Sequence, residues 1–323
     1  MSDEVIETLD DKARWRARDV TYWAGPWTQV KKQIPVFRTE EFRATAGTPA
    51  NPYMNAVVRV PRTKFEQPIP VGTVSKTYTL AQHADVGEKC LEGIRDAGIK
   101  SDGLKCELGL TELGEWMNLR IYFPKKFSHT PKDEQRLDLR LECFNSVDGS
   151  SRLVILLGWL RFVCSNGLVI GETKAELKDI HNEYMDLEKI PGIIASGLGY
   201  VQQDLKRISW WESKPLNEEQ FKPWVNKTLT DKWNKKSACR VFHICESGVD
   251  VEFSDPFAPG QATDKPVRKT VEVPGSPQKA SNLYDVCQAL SWVATTRNNP
   301  EEKVEWQSDI PGLIHQLASA RSE

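Results

Sequence analysis

The sequence predicts an α+β fold: an antiparallel sheet with helices packed on one face and a helical C-terminal part. Three observations lead there. Between residues 104 and 144, three segments alternate apolar and polar residues with short connections, as neighbouring antiparallel strands do. Two further β-branched segments, 54–60 and 71–80, are bounded by Pro61, Pro68 and Pro70. Past residue 173 helical periodicity dominates, over 173–208 and 217–236 and again over 283–296.

The elements follow in order. Residues 3–18 are expected as a short charged helix, followed by an aromatic, proline-punctuated arm from Tyr22 to Pro35. Together they make residues 1–35 a separate N-terminal segment. A helix is predicted from Ala81 to Ala97, with Gly98 at its C-terminal cap. In the strands 116–123 and 137–144, alternation turns Leu119, Ile121, Phe123, Leu137, Leu139, Leu141 and Cys143 inward. Asn118, Arg120, Tyr122, Asp138, Arg140 and Glu142 are left on an outer face. Asp148-Gly149 marks a turn, and RLVILLGWLRFVC (152–164) is a strand apolar enough to be covered on both sides. Residues 173–208 read as helical with a break near Pro191-Gly192, and 217–236 as another helix. The core is thus placed at 36–253, a proline-rich linker or long loop at 254–282, and packed C-terminal helices at 283–323, with Ser281-Asn282 as a cap.

Composition narrows the function. The 323 residues are 39% hydrophobic and 27% charged with a net charge of −2, so no global field draws the chain to nucleic acid or membrane. No apolar run nears the roughly 20 residues that span a bilayer. The acidic start MSDEVIETLDDK has no apolar signal core, and a cytoplasmic location is expected. Seven scattered cysteines without a CxxC, beside five dispersed histidines, give no zinc spacing, so neither metal nor cofactor is expected. GxxxxGK[ST] and GxGxxG loops are absent.

Within LRFVCSNGLVIG (160–171), Cys164 could be a nucleophile, but no base is nominated and the G-x-S-x-G elbow is missing. Cys164, Ser165, Asn166 and Gly167 are therefore read as a structural hairpin, with Asn166-Gly167 making a tight turn. The stronger signal is regional. Residues 206–240 hold nine Lys or Arg against four Asp or Glu, while the rest of the chain carries −7. Trp210, Trp211, Trp224 and Trp233 lie among Lys222, Lys227, Lys232, Lys235 and Lys236. Bases stack on aromatic rings, at about 1–3 kcal/mol each, while lysines neutralise phosphates, so these residues are candidates for single-stranded DNA binding. The bland alternative makes the tryptophans core anchors of helices whose lysines face water. Arg120, Arg140 and Arg161 form a second candidate surface on the sheet.

The segment LECFNSVDGSSRLVILLGWLRFVCSNGLVIGE (141–172) resembles the signature of the domain of unknown function 932 family, on Asp148, Gly149, Ser150, Arg161, Cys164, Ser165, Asn166 and Gly167. VSKTYTLAQHADV (74–86), with Tyr78, and NLYDVCQALSWVATT (282–296) are similar to further stretches of that family. The basic residue that the family often carries before a downstream histidine is missing, because Asp179-Ile180 precede His181. The resemblance implies a phage, plasmid or integrative element and no established catalytic residues. A non-enzymatic protein that binds single-stranded DNA and assists recombination, annealing or replication is expected. The alternative is a protein-interaction module that inhibits a host defence or repair enzyme, with the same tryptophans as anchors. No membrane partner is expected, and a homo-oligomer is compatible with either reading.

Overall fold

The structure is a computed structural model that describes residues 7–9, 14–15, 18–161, 166–168, 177–179, 181–252, 255–257, 269–297 and 300–319. The fold is α+β, and the chain divides into two units. One comprises residues 1–124, 140–157 and 174–199, the other 125–139, 158–173 and 200–323.

The first unit holds most of an antiparallel sheet. Its strands are β1 (Glu7–Leu9), β2 (Arg14–Trp15), β3 (Arg18–Pro26), β7 (Lys105–Thr111), β8 (Trp116–Tyr122), β9 (Leu137–Ser146), β10 (Leu153–Arg161) and β12 (Leu177–Asp179). They run in the order β1-β3-β7-β8-β9-β10, with β2 on β3 and β12 on β10. The expected N-terminal helix and free arm are corrected here, because β1 and β2 are strands paired with β3, and β3 pairs with β7 along Val20 to Pro26. Val20, Tyr22 and Ala24 are buried. The β-branched and aromatic run Val20-Thr21-Tyr22-Trp23 suits a pleated, half-buried surface.

Leu108, Leu119, Ile121, Leu141 and Cys143 share the apolar face. Helix α2 (His83–Asp96) packs there through Val86, Cys90, Leu91 and Ile94, and Gly98 caps it at φ +77. Gly87 is required by close approach: a Cβ would enter the indole of Trp27, which stands on the short helix α1 (Trp27–Val30) and donates to Glu88 Oε1 at 2.7 Å. Gly93 likewise lets α2 press against Pro191 of α3 (Lys189–Gly199). The helix expected from residue 173 thus begins only at Lys189. Its break falls after Gly199, since a proline in a first turn has no N–H to lose.

A smaller sheet joins β4 (Phe37–Glu41), β5 (Met54–Arg59) and β6 (Ile69–Ser75) in that order. Phe37, Val57, Val74 and Val147 form its core.

The second unit is mainly helical: α4 (Val201–Ser213), α5 (Glu218–Trp224), α6 (Thr230–Trp233), α7 (Lys235–Ser247), α8 (Leu283–Thr295) and α9 (Pro300–Ser319). A π-helical turn, Val225–Leu229, joins α5 to α6. Asn234, at φ +116, separates α6 from α7 and caps the latter by accepting from Ser237 N at 3.0 Å. Asn282 and Asp285 close a capping box on α8. The expected linker is interrupted by β14 (Lys269–Glu272), paired with β13 (Val249–Glu252). The end of β10 pairs with β11 (Asn166–Leu168), Leu160 opposite Gly167 and Arg161 opposite Asn166. Asn166-Gly167 is therefore strand rather than a tight turn. Residues 162–165, with Cys164 and Ser165, lie outside the described residues.

Candidate nucleic-acid interface

The segment 206–240 splits by helical geometry. On α4, Val201, Ile208 and Trp211 face inward. The other side of the helix exposes Gln202, Gln203, Lys206, Ser209, Trp210 and Ser213. Adjacent residues on a helix point about 100° apart, so Trp210 is 40% exposed while Trp211 is 1% exposed. Trp224 and Trp233 are also buried. Trp233 stacks on Trp306 at 4.6 Å and donates to Asp309 Oδ2 at 3.2 Å. Trp224 lies 6.2 Å from Phe221, ring to ring. For Trp211, Trp224 and Trp233 the stacking role is thus corrected to core packing, because no ring face is open to a base.

The lysines differ as well. Lys232 pairs with Asp309 at 3.0 Å, Lys235 with Asp255 at 3.5 Å and Lys236 with Glu252 at 2.8 Å, so their charge is largely matched locally. Lys222 is exposed one turn from Glu218. Lys227 is exposed on the π-turn and makes no ion pair with a described residue. Around Trp210 the balance is different. Lys206 lies one turn before it on the same face, and Lys214 Nζ stands 5.4 Å from the indole centroid. The acids of α4 are engaged: Asp204 pairs with Arg207 at 3.6 Å, and Glu212 accepts from the Lys132 N–H at 2.6 Å. What remains is an exposed indole between two cations on a helix face otherwise of Gln and Ser. Lys206 and Lys214 were missed by sequence reasoning, although they flank Trp210 at helical spacing.

The second predicted surface is closed rather than open. Tyr22 donates to Asn118 Oδ1 at 2.8 Å, and Asn118 donates to Glu142 Oε1 at 3.1 Å. Arg120 bonds Glu142 at 3.3 Å and lies 3.5 Å from Glu107, while Arg140 holds Glu142 at 2.5 Å. Tyr122 donates to Glu107 Oε2 at 2.7 Å. Burial would push the Glu107 carboxyl up, but the Tyr122 hydroxyl, Arg120 and Lys105 outweigh it and hold it below the usual range. Burial raises the Tyr122 phenol to about 12. Two carboxylates thus absorb both guanidinium groups, and Arg120 and Arg140 are corrected from phosphate contacts to members of a self-satisfied network. Trp159 is buried. Arg161 is described only through its backbone pairing.

A third constellation gathers four of the residues on which the family resemblance rests, Tyr78, Asp148, Gly149 and Ser150. Asp148 accepts from Trp116 Nε1 at 2.8 Å and from Ser150 Oγ at 2.6 Å, shaping the turn in which Gly149 takes φ +76. Tyr78 donates to Ser146 O at 3.2 Å and stacks on His181 at 5.1 Å. Burial, then the Asp148 charge, pushes its phenol up. Nearby, His83 contacts Gly114 O at 3.0 Å through Nε2 and Asn145 Nδ2 at 2.9 Å through Nδ1. A carbonyl can only accept, so Nε2 carries the proton and Nδ1 receives the amide donation. Burial lowers the His83 pKa to about 3. These groups order a turn and a helix start. The described thiols are no more reactive: all are buried, and burial raises Cys106 to about 12 and Cys143, Cys245 and Cys287 well above the ordinary value. Among the described residues, no group of His, Cys, Asp and Glu is placed to hold a metal ion, and no helix is long and apolar enough to cross a membrane.

No curated protein and no solved structure matches the chain. A family model described as Domain of unknown function (DUF932) matches residues 70–271, more than half of the chain. The match takes in Tyr78, the Asp148-Gly149-Ser150 turn and the whole of α4. The chain therefore belongs to the DUF932 family.

Proposed function

We propose that the protein is a non-enzymatic factor of a mobile genetic element that binds single-stranded DNA and assists its recombination, annealing or replication. The single observation carrying this reading is the Trp210 face of α4, an exposed indole between Lys206 and Lys214. An exposed indole accepts any base by stacking, and the lysines neutralise flanking phosphates without reading sequence. Lys222 and Lys227, exposed in the same unit, are further candidates for phosphate contacts.

The test is fluorescence-polarisation binding of a labelled single-stranded oligonucleotide across a salt series, with matched duplex as competitor. Preference for the single strand and affinity that falls with salt are expected. Trp210→Ala should weaken binding about 5- to 150-fold, corresponding to one stacked base. Binding indifferent to both salt and Trp210 would rule this reading out.

A second reading, a module that binds a host protein, is favoured by one feature. Tyr53 and Phe42 are 78% and 39% exposed, and Phe42 O accepts from Asn51 N at 2.7 Å, which brings them to the same end of the small sheet. Co-purification of a host protein that resists nuclease and is lost in Tyr53→Ser would favour this reading over DNA binding.

A further inference from the structure

The other end of the small sheet carries a different feature. The connection between β5 and β6, residues 60–68, turns at Thr63–Glu66, where Glu66 N donates to Thr63 O at 3.3 Å. Phe65, in that turn, is 95% exposed. A phenylalanine at this position forgoes the burial that a core site would give it. The loop is held on both sides of the ring. The Glu66 carboxylate accepts from Arg62 N at 2.9 Å, and the Arg62 guanidinium donates to the Gln33 carbonyl. Pro61, Pro68 and Pro70 fix three further backbone angles and remove three strand-pairing donors. The ring is thus presented at little further cost in conformational entropy.

Charge around the tip selects the partner. Lys64 precedes the ring and makes no ion pair with a described residue. Arg62 anchors the loop, Arg59 lies at its base opposite Ile69, and Lys32 adjoins the Gln33 anchor. Against these four cations stand Glu66, turned back onto the loop, and Glu112, next to the Leu113 carbonyl that Arg59 contacts at 3.5 Å. Val36 and Ile69, 60% and 38% exposed, lie at the same end of the sheet. Lysine is depleted from the cores of protein interfaces, whereas an aromatic ring among cations suits stacked bases and phosphates.

We infer that the β5–β6 hairpin is a stacking finger: Phe65 stacks on, or wedges beside, a base of a bound nucleic-acid strand while Lys64 and Arg62 contact its phosphates. This deepens the nucleic-acid reading in ligand class but uses residues outside the α4 face and before residue 70, where the family match starts.

The test uses the full chain and a single-stranded oligonucleotide carrying 2-aminopurine, comparing wild type with Phe65→Ala, Phe65→Trp, Lys64→Glu and Trp210→Ala. Circular dichroism should show all of them folded, because Phe65 and Lys64 are exposed and Trp210 lies on the outer side of its helix. Phe65→Ala is expected to weaken binding about 5- to 150-fold and to reduce the 2-aminopurine quench, with Phe65→Trp restoring both. Lys64→Glu should weaken binding and flatten its salt dependence. Wild-type affinity in Phe65→Ala beside a loss in Trp210→Ala overturns the finger and leaves the α4 reading standing. The reverse pattern supports the finger and overturns the α4 face. No oligonucleotide binding by wild type, or Phe65-dependent capture of a protein instead, overturns the finger.

Discussion

Burial holds the His83 imidazole neutral with its pKa near 3, against roughly 6.5 in the unfolded chain. Between those values the unfolded state takes up a proton that the folded state refuses, so stability rises with pH across that window. The contribution is complete above about pH 6.5 and is lost as pH falls toward 3. Urea midpoints measured at pH 7 and pH 5 should show His83→Gln losing less on acidification than wild type, by roughly 2 kcal/mol. Equal losses would mean that His83 is not the group that acid reaches. Gly87 gives a second expectation at this scale. Gly87→Ala forces the Trp27 ring aside and should cost about 1–3 kcal/mol by thermal melt, despite the better helix propensity of alanine. Few of these residue-level features were legible in the sequence. A histidine at a helix start and a glycine within a helix carry no sign of the carbonyl or indole waiting for them. Trp210 and Trp211 were legible as a pair but not as opposites, because that distinction depends on which side of α4 meets the rest of its unit.

Among the elements, α7, β13 and α8 are joined by one carboxylate. Asp250 accepts from Arg240 at 2.8 and 2.6 Å and from Trp292 Nε1 at 2.8 Å. Arg240 also donates to Thr296 Oγ1 at 3.0 Å. Removing one partner of a buried pair leaves the other charge stranded, so Asp250→Ala should destabilise by about 3–5 kcal/mol in chemical denaturation. A loss below about 1 kcal/mol would mean that the clamp is solvated. Nothing in the sequence around Asp250 signals this role, because its partners lie 10 and more than 40 residues away. Elements whose periodicity is complete within themselves were legible: α2 with Gly98, the strands β7, β8 and β9, and α8 with its Asn282 cap. Where the fold rests on distant pairing, reading failed. The strand β3 looked like an arm because its partner β7 begins nearly 80 residues further on. The outer face of β8 and β9 was correctly separated from the apolar face, yet its Arg and Glu residues satisfy one another. Alternation reports which side a residue takes, not what covers that side.

At the scale of the whole molecule, the fold class was legible because the switch from period two to period 3.6 runs the length of the chain, whereas the division into units was not. Of the expected contiguous segments, 1–35 falls within one unit and 254–282 and 283–323 within the other, but 36–253 takes in parts of both, which interleave along the sequence. β9 and β10 each contribute residues to both. Melting followed by far-ultraviolet dichroism and by tryptophan fluorescence should therefore give one coincident transition, since neither unit can unravel without pulling on strands of the other. Two separated midpoints would show that the units unfold independently. The same interleaving bears on how the chain is made. The last segment of the sheet unit ends at residue 199, so on a ribosome its pieces are all present while residues 200–323 are still to come. At about 5–20 residues per second that interval lasts roughly 6–25 s. Through it, segments 125–139 and 158–173 must wait for helices that do not yet exist, and that is when a chaperone would find the nascent protein most exposed.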